Sequence, residues 1–244
     1  VALFLGIFAY MTLRGLMGLA RVELENSVNV DLSVVGMADQ GMPAFLGLFG
    51  VPEDSARLIV MAMVAGGLLW FVLKSRDFRA SKADVAGGVI IGALVPVAWY
   101  VTGVIGFDDF EPTPLASFTF VAPVGESIQY LMTFTGSTIN FGIAVVGGVI
   151  FGSFVAAKSS GEFRVEAFAD SGDMVRHMIG GSIMGIGGVM ALGCTVGQGI
   201  TGMSTLAIGS VLALLSILLG GYFGMKYLEE GGFGGAFSAV FSRE

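Results

Sequence analysis

Charge is scarce in this sequence. Only 13% of its 244 residues are Asp, Glu, Lys or Arg, about half of the roughly 25% found in soluble domains. One cysteine and one histidine are present. The chain therefore holds no internal disulfide framework and no multi-cysteine metal site, and a Cys/His zinc site is all but excluded. No Gly-X-Y period runs through the 39 glycines, which excludes a collagen-like rod. Stretches of ~10 residues alternating apolar with polar, the mark of a membrane β-barrel, are missing as well.

The few charges cluster and leave long gaps between them. Residues 85–107, 127–157 and 177–225 carry none, giving uncharged runs of 23, 31 and 49 residues. A helix needs roughly 20 apolar residues to cross a bilayer. With a mean hydropathy of +0.85, such runs exclude a soluble enzyme, a nucleic-acid binder and a disordered chain. The expected class is an all-α, polytopic membrane protein, with residues 1–244 forming one integral membrane domain. The glycines fall inside the apolar runs, where small residues let helices approach closely and leave room for interrupted, re-entrant backbone.

Six helical passes are expected, over residues 1–19, 58–73, 85–107, 139–157, 177–193 and 204–225. Two pieces, residues 41–50 and a half-helix over 127–134, are too short to span and read as interfacial or re-entrant. The polar TFTGSTINF at 133–141 marks the break between that half-helix and the next full helix. The opening VALFLGIFAYMTLRG has neither an initiator methionine nor the basic leader of a signal peptide. It reads as part of a transmembrane helix whose upstream portion is missing. A weak likeness between residues 1–15 and 211–227 suggests pseudo-symmetric halves.

Charge asymmetry orients the chain. Lys74, Arg76, Arg79 and Lys82 share one short linker, and Lys158, Arg164 and Arg176 another, so both are expected in the cytoplasm. Asp108, Asp109 and Glu111 then face outward, as do Glu23, Glu25, Asp31, Asp39, Glu53 and Asp54, and the net charge of −7 arises largely there. Arg14 and Arg57 read as anchors near helix ends. His177, beside Arg176, reads as a solvated helix-start residue.

Chemistry concentrates at Gly193-Cys194-Thr195-Val196-Gly197-Gln198-Gly199, halfway along the 49-residue run. No single helix spans that length, so the chain must turn here. Gly197 and Gly199 are expected to supply the positive φ and close approach of the turn. The turn exposes backbone N–H groups at the start of the next helix, a ready place for an anion. Thr195, Gln198, Thr201, Ser204 and Thr205 add neutral hydrogen-bonding groups. Ser137 and Asn140 either face the same path from the opposite half-helix or cap their own helix. The pairs Gly181/Gly185, Gly220/Gly224, Gly88/Gly92 and Gly148/Gly152 mark expected close helix crossings. No catalytic residue, metal ligand set or cofactor motif is identified.

The stretch GCTVGQGITGMSTLAIGS at 193–210 resembles the second signature of the YeeE/YedE family of sulfur-transport membrane proteins. The resemblance extends through FGIAVVGGVIFGSFVAAKSSGEFRVE at 141–166, the Arg176-His177 pair and AYMTLRGL at 9–16. It implies an hourglass-shaped helical permease of the bacterial inner membrane that takes up thiosulfate or a related sulfur anion past cysteines on a central path. It also implies a small TusA-like sulfur-carrier protein as partner. The Gly-Cys motif of the family's first half does not occur in this sequence. The acidic exterior also opposes an arriving dianion within a Debye length, ~8 Å at physiological salt.

A thiol suits such a substrate. Thiosulfate has a soft terminal sulfur and hard oxyanion oxygens; backbone N–H, Thr and Gln groups can hold the oxygens while S–H donates weakly to the sulfur. Weak bonding lets a conducted ion leave. The alternatives are a membrane sulfurtransferase that carries a persulfide on Cys194, a passive channel for small solutes, and a structural membrane subunit.

Overall fold

The computed structural model describes residues 1–28, 37, 39–108, 114–168, 170–232 and 234–235. Asp31, Asp109 and Glu111 of the expected outer loops lie outside the described residues. Among the described residues the regular structure is helical, apart from one isolated antiparallel bridge between Gly41 and Ala207. The all-α expectation holds.

The first two helices, α1 (Ala2–Arg14) and α2 (Leu16–Val28), meet at Gly15 with a bend of 58°. A continuous pass to residue 19 is therefore not formed. Gly15 is extended, and a Cβ there would lie 2.9 Å from Met11 Cα and from its carbonyl oxygen. Beyond it the chain turns polar, with Arg21 paired to Glu25 at 3.0 Å. Next come α3 (Met42–Gly47), α4 (Glu53–Lys74), α5 (Arg76–Ala80) and α6 (Lys82–Tyr100), the last continuing through a π turn at Val101–Ile105. Side chains cap two of these starts: Ser75 accepts from Phe78 N and Ser81 from Asp84 N, which satisfies first-turn donors.

The second half holds α7 (Val121–Met132), α8 (Phe141–Ser159), α9 (Ser171–Met190) and α10 (Ile208–Glu230). Helix α7 is the expected half-helix, but it starts six residues earlier than 127. Pro123 is tolerated in a first turn, and Glu126, which precedes the uncharged run 127–157, lies within the helix.

Among the described residues, α4, α6 with its π turn, α8 and α10 are long and apolar enough to cross a membrane, and the bent α1–α2 pair makes a fifth candidate. Helix α9 falls short because Asp173, Arg176 and His177 occupy its first two turns and glycines thin the rest. The large apolar side chains of the long helices point outward: Leu69, Trp70, Phe71, Ile90, Ile150, Phe151, Leu218 and Leu219 are all exposed. A soluble helix turns such residues inward, whereas in lipid they face the solvent. The chain is a multi-pass membrane protein.

Internal packing centres on α1, which lies against α9 and α7. Small residues allow it. A Cβ at Gly181 would sit 3.0 Å from Val1 O, and one at Gly185 would collide with Leu5 O. This register makes α1 and α9 parallel and confirms the Gly181/Gly185 crossing. Gly125 on α7 comes within 2.9 Å of Gly6 O by the same measure, and Gly188 on α9 within 2.7 Å of a Val121 methyl. Ala9, Val121 and Val189 form the buried centre of this junction. The other glycine pairs behave differently. Around Gly88, Gly92, Gly148, Gly152, Gly220 and Gly224 no atom lies within 4 Å of an added Cβ. Among the described residues they meet no other helix, and the helices that carry them present those faces outward.

Candidate functional site at the break after α9

Helix α9 ends in a Schellman arrangement. Leu192 N–H donates to Val189 O at 3.0 Å and Gly193 N–H to Gly188 O at 2.8 Å. The residue in the left-handed region is Leu192, with φ +57°, where glycine is the usual occupant. A side chain there costs roughly 1–2 kcal/mol. The expectation that glycine supplies the positive φ is thus corrected, since Gly193, Gly197 and Gly199 all lie outside that region. Their smallness serves close approach instead. An added Cβ would stand 3.2 Å from Gln198 N at Gly193, 2.9 Å from Thr119 Oγ1 at Gly197, and 3.0 Å from a Leu214 methyl at Gly199.

Cys194 follows the turn, and helical backbone resumes over residues 195–204 with a π turn at Gly197–Gly202. Cys194 thus lies at the break between the end of α9 and this segment. The thiol is free and half-buried, not enclosed as the expected buried relay would have it. With Leu13 it packs against Ala9, Val121 and Val189, so the break lies where α1, α7 and α9 converge.

The polar groups around it divide into two sets. Gln198 is tied into the scaffold at three atoms: its N–H donates to Cys194 O, its Nε2 to Ala191 O, and its Oε1 accepts from Ser210 Oγ, each at 2.7 Å. Thr201 donates to Phe118 O at 2.8 Å, Ser204 to Thr201 O at 2.6 Å, and Thr205 to Gly202 O at 2.7 Å. The Thr195 hydroxyl is exposed and makes no hydrogen bond among the described residues. Together with the Cys194 thiol and the first N–H groups of the 195–204 segment, which have no intrahelical acceptor, it forms the set with donors to spare.

Ser137 and Asn140 sit at a different place, the break between α7 and α8. Ser137 Oγ donates to Thr133 O at 2.6 Å. Asn140 Oδ1 accepts from Ile143 N at 2.8 Å, capping α8, and its Nδ2 donates to Glu126 Oε2 at 2.7 Å. Local capping is what Asn140 does, and no hydrogen bond joins either residue to the Cys194 turn.

Three features escaped the sequence reading. Glu126 only flanks the uncharged run 127–157, and nothing near it in sequence marks its place inside α7. Ser210 was one hydroxyl among many in an apolar helix. A cavity of about 810 Å³ opens between α4 and residues 199–206, with Arg57, Met61, Leu68 and Thr205 in its wall. No group of His, Cys, Asp or Glu among the described residues is arranged to hold a metal.

The profile of a family described as Sulphur transport matches residues 1–223. The thiosulfate transporter TsuA of Escherichia coli (strain K12) is 32% identical over 132 residues, which are 54% of this chain and 35% of that protein. The thiosulfate transporter TsuA of Spirochaeta thermophila is 27% identical over 225 residues, 91% of this chain and 64% of that protein. The chain thus spans less than two thirds of the length of either relative. Both relatives and the family carry names of transport, in keeping with the reading of this chain as no enzyme.

Proposed function

We propose, for a chain that belongs to the sulphur transport family, the uptake of thiosulfate or a related sulfur anion along a path that passes Cys194. The observation that carries this reading is the broken helix: at its break a thiol, the Thr195 hydroxyl and a first turn of backbone N–H groups are the donors that the scaffold leaves unspent. Half-helices whose amino-terminal ends meet an anionic group are a recurring device in transporters. The N–H groups and Thr195 would hold the hard oxygens, and the Cys194 S–H the soft terminal sulfur. Gly193, Gly197 and Gly199 keep the backbone close enough for this, while Gln198 supports the turn rather than the ion.

The surroundings favour a permease over a sulfurtransferase. Cys194 packs against the apolar cluster of Ala9, Val121 and Val189, side chains that cannot act as the base a nucleophilic thiolate needs. The two basic linkers would face the cytoplasm across a bacterial inner membrane, and a TusA-like carrier would meet the protein on that side. Growth complementation with the full-length protein tests the reading. Cells lacking other routes should grow on thiosulfate, and not on sulfate, when it is expressed. Absence of growth on thiosulfate would count against it.

A further inference from the structure

We propose that the cavity between α4 and residues 199–206 binds one phospholipid with a primary-amine headgroup, its phosphate at Arg57 and an acyl chain laid along α4. This site is separate from the break at Cys194.

The cavity has the size and the length for an acyl chain. Its volume of about 810 Å³ lies within the roughly 300–1,000 Å³ of small-molecule sites. One wall is a single face of α4, a helix apolar enough to span a membrane. Arg57, Met61, Val64, Ala65 and Leu68 follow one another there at three- and four-residue spacing. Arg57 stands where the uncharged run 58–73 begins, a place for a long basic side chain to reach lipid headgroups. Leu68 lies three turns further on, ~16 Å by helical rise. That is about half of the ~30 Å hydrocarbon core, the depth that the chains of one leaflet fill.

Both walls are apolar below Arg57. Met61 and Leu68 are exposed, and α4 packs mainly on the short helices α3 and α5. The facing wall includes Gly199, Ile200, Met203 and Leu206. It is fixed by the bridge to the α3 side, where Met42 N–H donates to Leu206 O at 2.8 Å and Ile208 N–H to Gln40 O at 3.1 Å.

Charge at the Arg57 end selects the headgroup. Arg57 is the basic side chain of the wall, and Asp39 and Glu53 are its acidic ones. Glu53 precedes Arg57 by four residues, the spacing of a helical ion pair. Yet neither side chain forms an ion pair or hydrogen bond among the described residues. Asp39 Oδ1 accepts from Gly41 N at 2.7 Å. The Ser204 and Thr205 hydroxyls already donate to Thr201 O and Gly202 O, so an oxyanion here would rest on the guanidinium. Two carboxylates beside one guanidinium repel a lone oxyanion, whereas a headgroup of both signs satisfies the pair. The guanidinium fork matches a phosphodiester. Glu53, one helical turn or ~6 Å away, would accept from the ammonium across the ethyl link of the headgroup.

Native mass spectrometry of the full-length protein, stripped of lipid in detergent, tests the site. Phosphatidylethanolamine should be retained several-fold more tightly than phosphatidylglycerol, which has no amine. Glu53→Gln should erase that preference, Arg57→Gln should weaken both lipids several-fold, and Arg57→Lys should restore most of the retention. Ala65→Trp, which fills the groove and alters no charge, should also lower retention, and it serves if a charge variant fails to fold. Phosphatidylethanolamine with a photoreactive acyl chain should mark residues 61–68 or 199–206 on peptide mapping. Equal retention of the two lipids by wild-type protein, a preference that survives in Glu53→Gln, or cross-links confined to other helices would each overturn the inference. Displacement of the lipid by excess thiosulfate would overturn it too, and would make the cavity part of the anion path instead.

Discussion

Ser210, at the start of α10, donates to Gln198 Oε1 at 2.7 Å, and the amide nitrogen of the same Gln198 donates to Ala191 O at 2.7 Å. One side chain thereby ties α10 to both sides of the break that presents Cys194. Gly202 makes room for the tie, since a Cβ there would collide with Ser210 Oγ and lie 2.7 Å from Gln198 Oε1. Removing the Ser210 hydroxyl takes this bond from a half-buried acceptor, at a cost of roughly 0.5–1.5 kcal/mol.

Ser210→Ala should therefore loosen the break. The expected result is several-fold faster maleimide labelling of Cys194 in the membrane-embedded protein, read by peptide mapping. An unchanged labelling rate would show that Gln198 holds the turn without help from α10.

Leu192 bears a backbone conformation that its side chain disfavours. Leu192→Gly keeps the two closing hydrogen bonds of α9 and removes a strain of ~1–2 kcal/mol, offset in part by the greater freedom of glycine when unfolded. A thermal melt in detergent should shift upward. A lower melting temperature would mean that Leu192 contributes more by packing than it costs in backbone strain.

At the α1–α9 contact backbone approaches backbone, with Gly181 and Gly185 set against Val1 O and Leu5 O. Gly185→Val forces a branched side chain onto Leu5 O and should destabilise by about 1–3 kcal/mol, in line with overpacking elsewhere. Gly148→Ala, on an open face of α8, should be neutral or gain up to ~1 kcal/mol of helix propensity. Melting temperatures of the two variants decide it; equal losses would contradict the packing described.

Much of this was legible in the sequence, for physical reasons that also explain the rest. Long uncharged runs specify membrane helices almost by themselves, and the Gly181/Gly185 spacing specifies a face. The break at Gly193–Gly199 followed from length alone. What the sequence concealed were features decided by partners distant along the chain. Nothing near Gln198 says that it reaches Ser210 on one side and Ala191 on the other. Leu192 carries no mark of a left-handed residue, because the Schellman bonds that hold it are backbone bonds. Gly88 and Gly148 have the same spacing as Gly181, and only the fold shows which pair meets another helix.

The charge-based orientation is open to direct labelling. Single cysteines at Ser81 and Leu115, in a chain with Cys194 replaced, should differ, the second reacting with an impermeant reagent from outside and the first only after lysis. Both reacting from outside would overturn the orientation.

The most direct test of the central claim is thiosulfate uptake by Cys194 variants of the full-length protein. With the thiol as a neutral donor to the terminal sulfur, Cys194→Ala should lose most uptake, and Cys194→Ser, a harder donor of similar shape, should keep part of it. No sulfur adduct should accumulate on wild-type Cys194 during turnover. Full uptake by the Ala variant would contradict a role for the cysteine, and loss in both variants with a persulfide on the wild-type thiol would point to group transfer instead.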